Sequence, residues 1–175
     1  METIADAYEN NTRIHAHLNS VVSGLTSEQL NLRPDGEKWS IQEIVEHIAM
    51  VYESTGRICA KLVTGAKTAG KTGDGRVNMS ASFGEKSKAI AGMKVEAPER
   101  VQPSGEATVD ASFARIDETK RFFDTLRPDL ESLDLSEHTF PHPFFGQITA
   151  AEWLVLAGGH ADRHTKQIER LKERL

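Results

Sequence analysis

At 175 residues the chain is long enough to bury one core and short for two, so a single domain over residues 1–175 is expected; 38% hydrophobic and 27% charged residues suit a folded, non-membrane protein. A net charge of −5 without a lysine/arginine stripe speaks against a nucleic-acid surface, and no run approaches the ~20 apolar residues that span a bilayer. The opening METIADAYENN lacks the pattern of a secretory signal and the lone Cys59 cannot form an internal disulfide, which together point to the cytoplasm.

The first predicted helix covers residues 2–24, with Ile4, Tyr8, Asn11, His15, Leu18 and Val22 on one face. A turn over residues 26–30 and a polar loop with Pro34, Asp35 and Gly36 lead to the second helix. Ser40 caps it, and Glu43 three residues later completes a capping box. Its apolar face runs through Ile41, Ile44, Val45, Ile48, Val51, Tyr52, Ile58, Cys59 and Leu62, and is expected to end near Thr64 and Gly65. On that face Cys59 reads as a small buried hydrophobe rather than a reactive thiol. Residues 65–107 are rich in Gly, Lys, Ser and Thr, an irregular crossover longer than most connections, which predicts a functional lid or mobile segment with room for a short helix over residues 83–93. The third helix is predicted over residues 109–126, with Val109, Phe113, Ile116 and Phe123 inward and Pro128 just beyond. Residues 131–146 form a second irregular crossing. The fourth helix starts from the cap Thr149, boxed by Glu152, and runs to about Lys172. No strand pattern competes. The expected fold is all-α, a four-helix bundle with a long crossover between helices two and three.

The last helix carries two histidines where apolar residues belong. Trp153, Leu156, Ala157, Ile168 and Leu171 make a stripe, and at ~100° per residue His160 and His164 fall inside it, with Gln167 beside them. Four residues apart, the two rings reach one point, and burying both is costly unless each has a partner. A metal ion satisfies both at once. His47, at the edge of the second helix's apolar face, offers a third nitrogen. Three histidines with an open fourth position make the ligand set of a catalytic zinc-type site; a buried hydrogen-bonded cluster is the other reading of the same residues.

Three segments carry a family resemblance: WSIQEIVEH (Trp39 to His47), HPFFGQIT running into Glu152 and Trp153 (from His142), and HADRHTKQ (His160 to Gln167). In that order over residues 39–167, the chain resembles the DinB-like superfamily of metal-dependent hydrolases, which includes thiol-dependent S-transferases. The resemblance implies a four-helix bundle, a homodimer, and a three-histidine metal site on His47, His160 and His164. It implies no DNA-binding role. Residues 65–107 carry no family signature, and they are the segment expected to cover the open side of the metal.

Three neutral imidazoles leave a divalent ion, with zinc or nickel expected, its full charge. Such an ion makes hydroxide from water near neutral pH or holds a low-molecular-weight thiol as thiolate. The expected function is a metal-dependent S-transferase or hydrolase acting on a small molecule. The alternative is a non-catalytic bundle that binds a metal or small ligand. Around the site, His15 is a candidate fourth ligand or pocket residue, and His142 could line the pocket mouth. Arg163 could pair with a substrate carboxylate or with an internal acid. Gln167 is expected behind a ligand or in the pocket, because zinc rarely takes amides. His17 and His138 carry no functional reading.

Overall fold

The computed structural model describes residues 1–90 and 96–175. Its helices are α1 (Ile4–Val22), α2 (Ser27–Asn31), α3 (Ile41–Ala69), α4 (Ala81–Ile90), α5 (Val109–Ser132) and α6 (Ala150–Lys172). A hairpin of β1 (Thr139–His142) and β2 (Gly146–Thr149) precedes α6. Reciprocal capping boxes open four of the helices, pairing Thr3 with Asp6, Thr26 with Gln29, Ser40 with Glu43 and Thr149 with Glu152. Each box satisfies amides that the first turn would leave without an acceptor.

The four long helices form the expected bundle. α3 packs against both α5 and α6, and α6 also packs against α1. Side-chain partners set the directions. Asn11 donates to the carbonyl of Leu154 (3.1 Å) and Lys172 to that of Val21, so α1 and α6 run parallel. Cys59 sits on the carbonyl of Ala150, whereas His47 meets His160, so α3 and α6 run antiparallel. Lys67 pairs with Asp129 at 2.7 Å and Arg115 with Glu53, which makes α3 and α5 parallel, as a long crossover requires. The α1–α6 contact is close because Gly158 has no side chain: a Cβ there would lie 2.0 Å from Asn11 Oδ1. Among the described residues no helix is long and apolar enough to cross a membrane.

The core is continuous through Ile4, Leu18, Ile41, Ile48, Phe123 and Ile168, all at most 1% exposed. Cys59 lies within it as expected, and burial pushes its thiol pKa up.

Several boundaries differ from the sequence expectation. α3 continues past Gly65 to Ala69 and ends at Gly70, which adopts the left-handed conformation (φ +68°). Gly65 is a packing site, not a stop: a Cβ there would meet His138 Nδ1 at 2.8 Å. α5 runs through Pro128 to Ser132. A proline removes one helical bond, but Leu130, only 1% exposed, anchors the turn beyond it. Residues 26–30, read as a turn, fall largely in the short helix α2 (Ser27–Asn31), with Thr26 as its cap. The absence of strands is also corrected. β1 and β2 pair antiparallel, Phe140 opposite Ile148 and His142 opposite Gly146. Strands of four residues, one with a proline, are too short to display a period-2 pattern. The short helix expected over residues 83–93 is met by α4, which starts two residues earlier, at Ala81; residues 91–93 lie outside the described residues.

Candidate metal centre

The capped start of α3 and the middle of α6 cross where the antiparallel pair brings their inward faces together. There His47, His160 and His164 each present a ring nitrogen, all three nitrogens within 4.8 Å of one another. These residues could hold a metal ion. His47 and His164 are buried, and His160 is partly exposed.

Hydrogen bonds define two of the three tautomers. His47 Nδ1 lies 2.6 Å from the carbonyl of Val101, which can only accept, so Nδ1 carries the proton and Nε2 keeps its lone pair. His164 Nδ1 lies 2.9 Å from Gln167; with the amide oxygen as acceptor, its Nε2 is likewise free. That lone pair accepts from the Arg163 guanidinium at 3.2 Å. His160 Nε2 stands 3.0 Å from His47 Nε2, so His160 donates in that contact. The other tautomer of His160, with its proton on Nδ1, would present a third lone pair to the same point.

Electrostatics agree with neutral rings. Burial pulls the pKa of His164 down to about 3, with the charges of His47 and Arg163 adding to it. Burial also holds His160 well below the ordinary histidine value, reinforced by His164 and His47. His47 is lowered by burial against the opposing effect of its bond to Val101. All three are therefore uncharged at neutral pH, the form that binds metals.

Beside the triad opens a cavity of about 540 Å³. Its walls include Trp39, Ile58, Phe83, Phe144, Trp153 and Leu156. The Trp39 ring lies 4.7 Å from that of His47, centroid to centroid. The crossover expected to cover the metal does border this cavity, through α4 and a 3-10 turn at Glu99–Val101. Two buried carboxylates hold it down. Glu152 accepts from the Ser80 amide (2.8 Å) and hydroxyl (2.7 Å), and Glu46 accepts from the Ser104 amide and hydroxyl and the Gly105 amide (2.7–3.0 Å).

The remaining candidates divide. Arg163 and His142 line the cavity. Arg163 is half-buried, and burial disfavours its charge, with no carboxylate among the described residues offsetting the effect. His142 Nδ1 accepts from the amides of Phe144 (3.1 Å) and Phe145 (3.3 Å), shaping the hairpin turn, and burial lowers its pKa to about 4. Gln167 stands behind His164. His15 is not brought to the triad: it is buried against Tyr52 (ring centroids 4.5 Å) and does not line the cavity. His138 packs over Gly65 and His17 pairs with Glu169 at 3.3 Å on the surface.

Sequence reasoning passed over Glu46 and Val101. Glu46 had a visible signal, an acid inside the apolar run from Ile44 to Ile48, where burial demands donors. Val101 acts through its carbonyl, which any residue supplies, so no side-chain pattern marks it.

Comparison with known proteins extends these observations. The model of the DinB superfamily matches residues 11–168. A Bacillus subtilis (strain 168) protein described as "Uncharacterized protein YuaE" is 26% identical over 163 residues, covering 88% of this chain and 90% of that one. The crystal structure of TT2238, a four-helix bundle protein, superposes with a TM-score of 0.61 at 19% identity, covering 95% of this chain and 98% of the other, a likeness of fold.

Proposed function

The chain belongs to the DinB superfamily, and from that premise and its histidine triad we propose a metal-dependent enzyme that holds a divalent ion on His47, His160 and His164. The observation that carries the reading is the convergence of three neutral imidazoles, two of them with the outward nitrogen already committed as a donor. A neutral triad in which His47 and His164 have fixed Nε2 lone pairs fits a divalent metal by donor chemistry, and their orienting acceptors are the partners such ligands require.

When bound, the ion would supply Lewis acidity that favours the deprotonated form of water or of a low-molecular-weight thiol near neutral pH. The chain's own residues do the rest. Val101 and Gln167 aim two of the imidazoles. Trp39 and the crossover keep bulk water from the triad's flank. The apolar walls would receive a small-molecule substrate, and the activity expected is that of an S-transferase with a thiol as co-substrate or of a hydrolase with water. The same reading takes zinc or nickel as the ion, one domain over residues 1–175, a homodimer as the assembly and the cytoplasm as the compartment.

Elemental mass spectrometry on untagged protein tests it. About one divalent metal per chain is expected in the wild type, with loss in His160→Ala. Stoichiometric metal retained by that variant would overturn the assignment. Metal without turnover on any thiol–electrophile pair or hydrolysable ester would leave a binding bundle instead.

A further inference from the structure

The charges around the cavity do not balance. Two acidic residues line it, and both are engaged by lysines: Asp162 by Lys166 at 2.7 Å and Glu96 by Lys38 at 3.6 Å. Two guanidiniums also line it, Arg100 and Arg163, and neither forms an ion pair among the described residues. Arg100 is exposed and solvated at the rim. Arg163 is half-buried beside the triad, and among the described residues its one hydrogen bond to another side chain goes to His164 Nε2 at 3.2 Å.

That bond uses the lone pair a metal would need. A guanidinium offers five donors in a rigid planar fork and cannot shed its charge, so a half-buried one without a carboxylate is under-satisfied. Once His164 Nε2 is taken by an ion, Arg163 loses that acceptor and faces an added positive charge. Both changes favour an anion in the space between. Much of the remaining wall is apolar, with Ile58, Phe144, Trp153 and Leu156 available to an uncharged body.

We propose that the cavity takes small carboxylates with an apolar body, the carboxylate paired with Arg163 and the body lying against Phe144 and Trp153. The planar fork matches the two oxygens of a carboxylate, and the apolar side chains of the wall match an uncharged body attached to it. The inference deepens the metal reading and rests on it only for the release of Arg163 from His164. Arg163 is then the residue that selects and positions the substrate beside the triad.

Both tryptophans of the chain, Trp39 and Trp153, border the cavity, so intrinsic fluorescence reports its occupancy. Phenylacetate and its neutral isostere phenylacetamide would be titrated into zinc-loaded wild type and Arg163→Gln, with metal content measured on the same samples. The acid is expected to bind about tenfold or more tightly than the amide in the wild type, and this preference should vanish in Arg163→Gln while amide binding is kept. The wild-type comparison needs no variant, and Arg163→Lys, which keeps charge without the fork, should restore part of the preference. Equal binding of acid and amide, no binding of either, or a preference that survives Arg163→Gln overturns the proposal. Samples that hold no zinc yet keep an Arg163-dependent acid preference would remove the metal reading and retain this one; zinc-loaded samples without the preference would do the reverse.

Discussion

The Nδ1–H of His47 donates to the carbonyl of Val101 across 2.6 Å, joining a candidate ligand on α3 to the crossover fifty-four residues later. Orientation of the imidazole and placement of the cavity's cover are thus one structural problem. The buried Glu46, next to His47 in sequence, fastens the same crossover a few residues further on through Ser104 and Gly105.

Glu46→Ala should therefore loosen the cover. It leaves two amides and a hydroxyl without their carboxylate, a loss of about 2–3 kcal/mol for charge-assisted bonds. Amide hydrogen exchange should speed up at Ser104 and Gly105 and stay unchanged in the middle of α5. Uniform acceleration through the bundle would show a global effect instead.

Gln167→Ala removes the acceptor for His164 Nδ1–H. Metal affinity should fall about 10–100-fold, the usual effect of losing a group that orients a ligand. Competition against a chromophoric chelator measures it. Wild-type affinity in the variant would mean that His164 is aimed by packing alone.

Gly65→Ala should destabilise by about 1–3 kcal/mol through overpacking, although alanine is the better helix former by about 1 kcal/mol. The new methyl would lie 2.8 Å from His138 Nδ1. Combining it with His138→Ala should recover most of the loss, and a double-mutant cycle in urea reads the coupling. Additive effects would rule out the contact as the cause.

His15 gives stability a pH dependence. Burial lowers its pKa from 6.5 to about 4, with Asp117 opposing and Lys120 assisting. The unfolded chain then binds more protons than the native one between these values, so stability rises with pH through that window. The contribution is fully present above about 6.5 and is lost as pH falls toward 4. From pH 7 to pH 5 the loss attributable to this ring is about 2 kcal/mol. His15→Phe, which cannot protonate, should flatten that part of the profile in urea titrations at the two pH values. An unchanged slope would place the acid sensitivity on other groups.

The capped helices and the triad were legible because their signals are local and periodic. Ser40 with Glu43 and Thr149 with Glu152 announce helix starts within four residues, and His47, His160 and His164 stand out against apolar stripes. The features that escaped depend on partners distant in sequence. Gly65 looks like a helix stop until His138 is seen on top of it. Pro128 looks like an end until the burial of Leu130 is known. His15 falls on the same kind of stripe as the triad, yet its side of α1 packs against Tyr52 and not against the three rings. Periodicity tells which face of a helix is buried, not which neighbour it meets.

The separation of 113 residues between His47 and His160 also has a kinetic side. Contacts so far apart must meet the closure entropy of a long loop before they form, which makes them late relative to local ones. The three nitrogens therefore converge only when α6 has docked on α3, and an ion that binds them binds the native state alone. At a free concentration a hundred times its dissociation constant, such an ion adds about 2.7 kcal/mol to native stability. Cellular metal supply would then help set the lifetime of the folded protein.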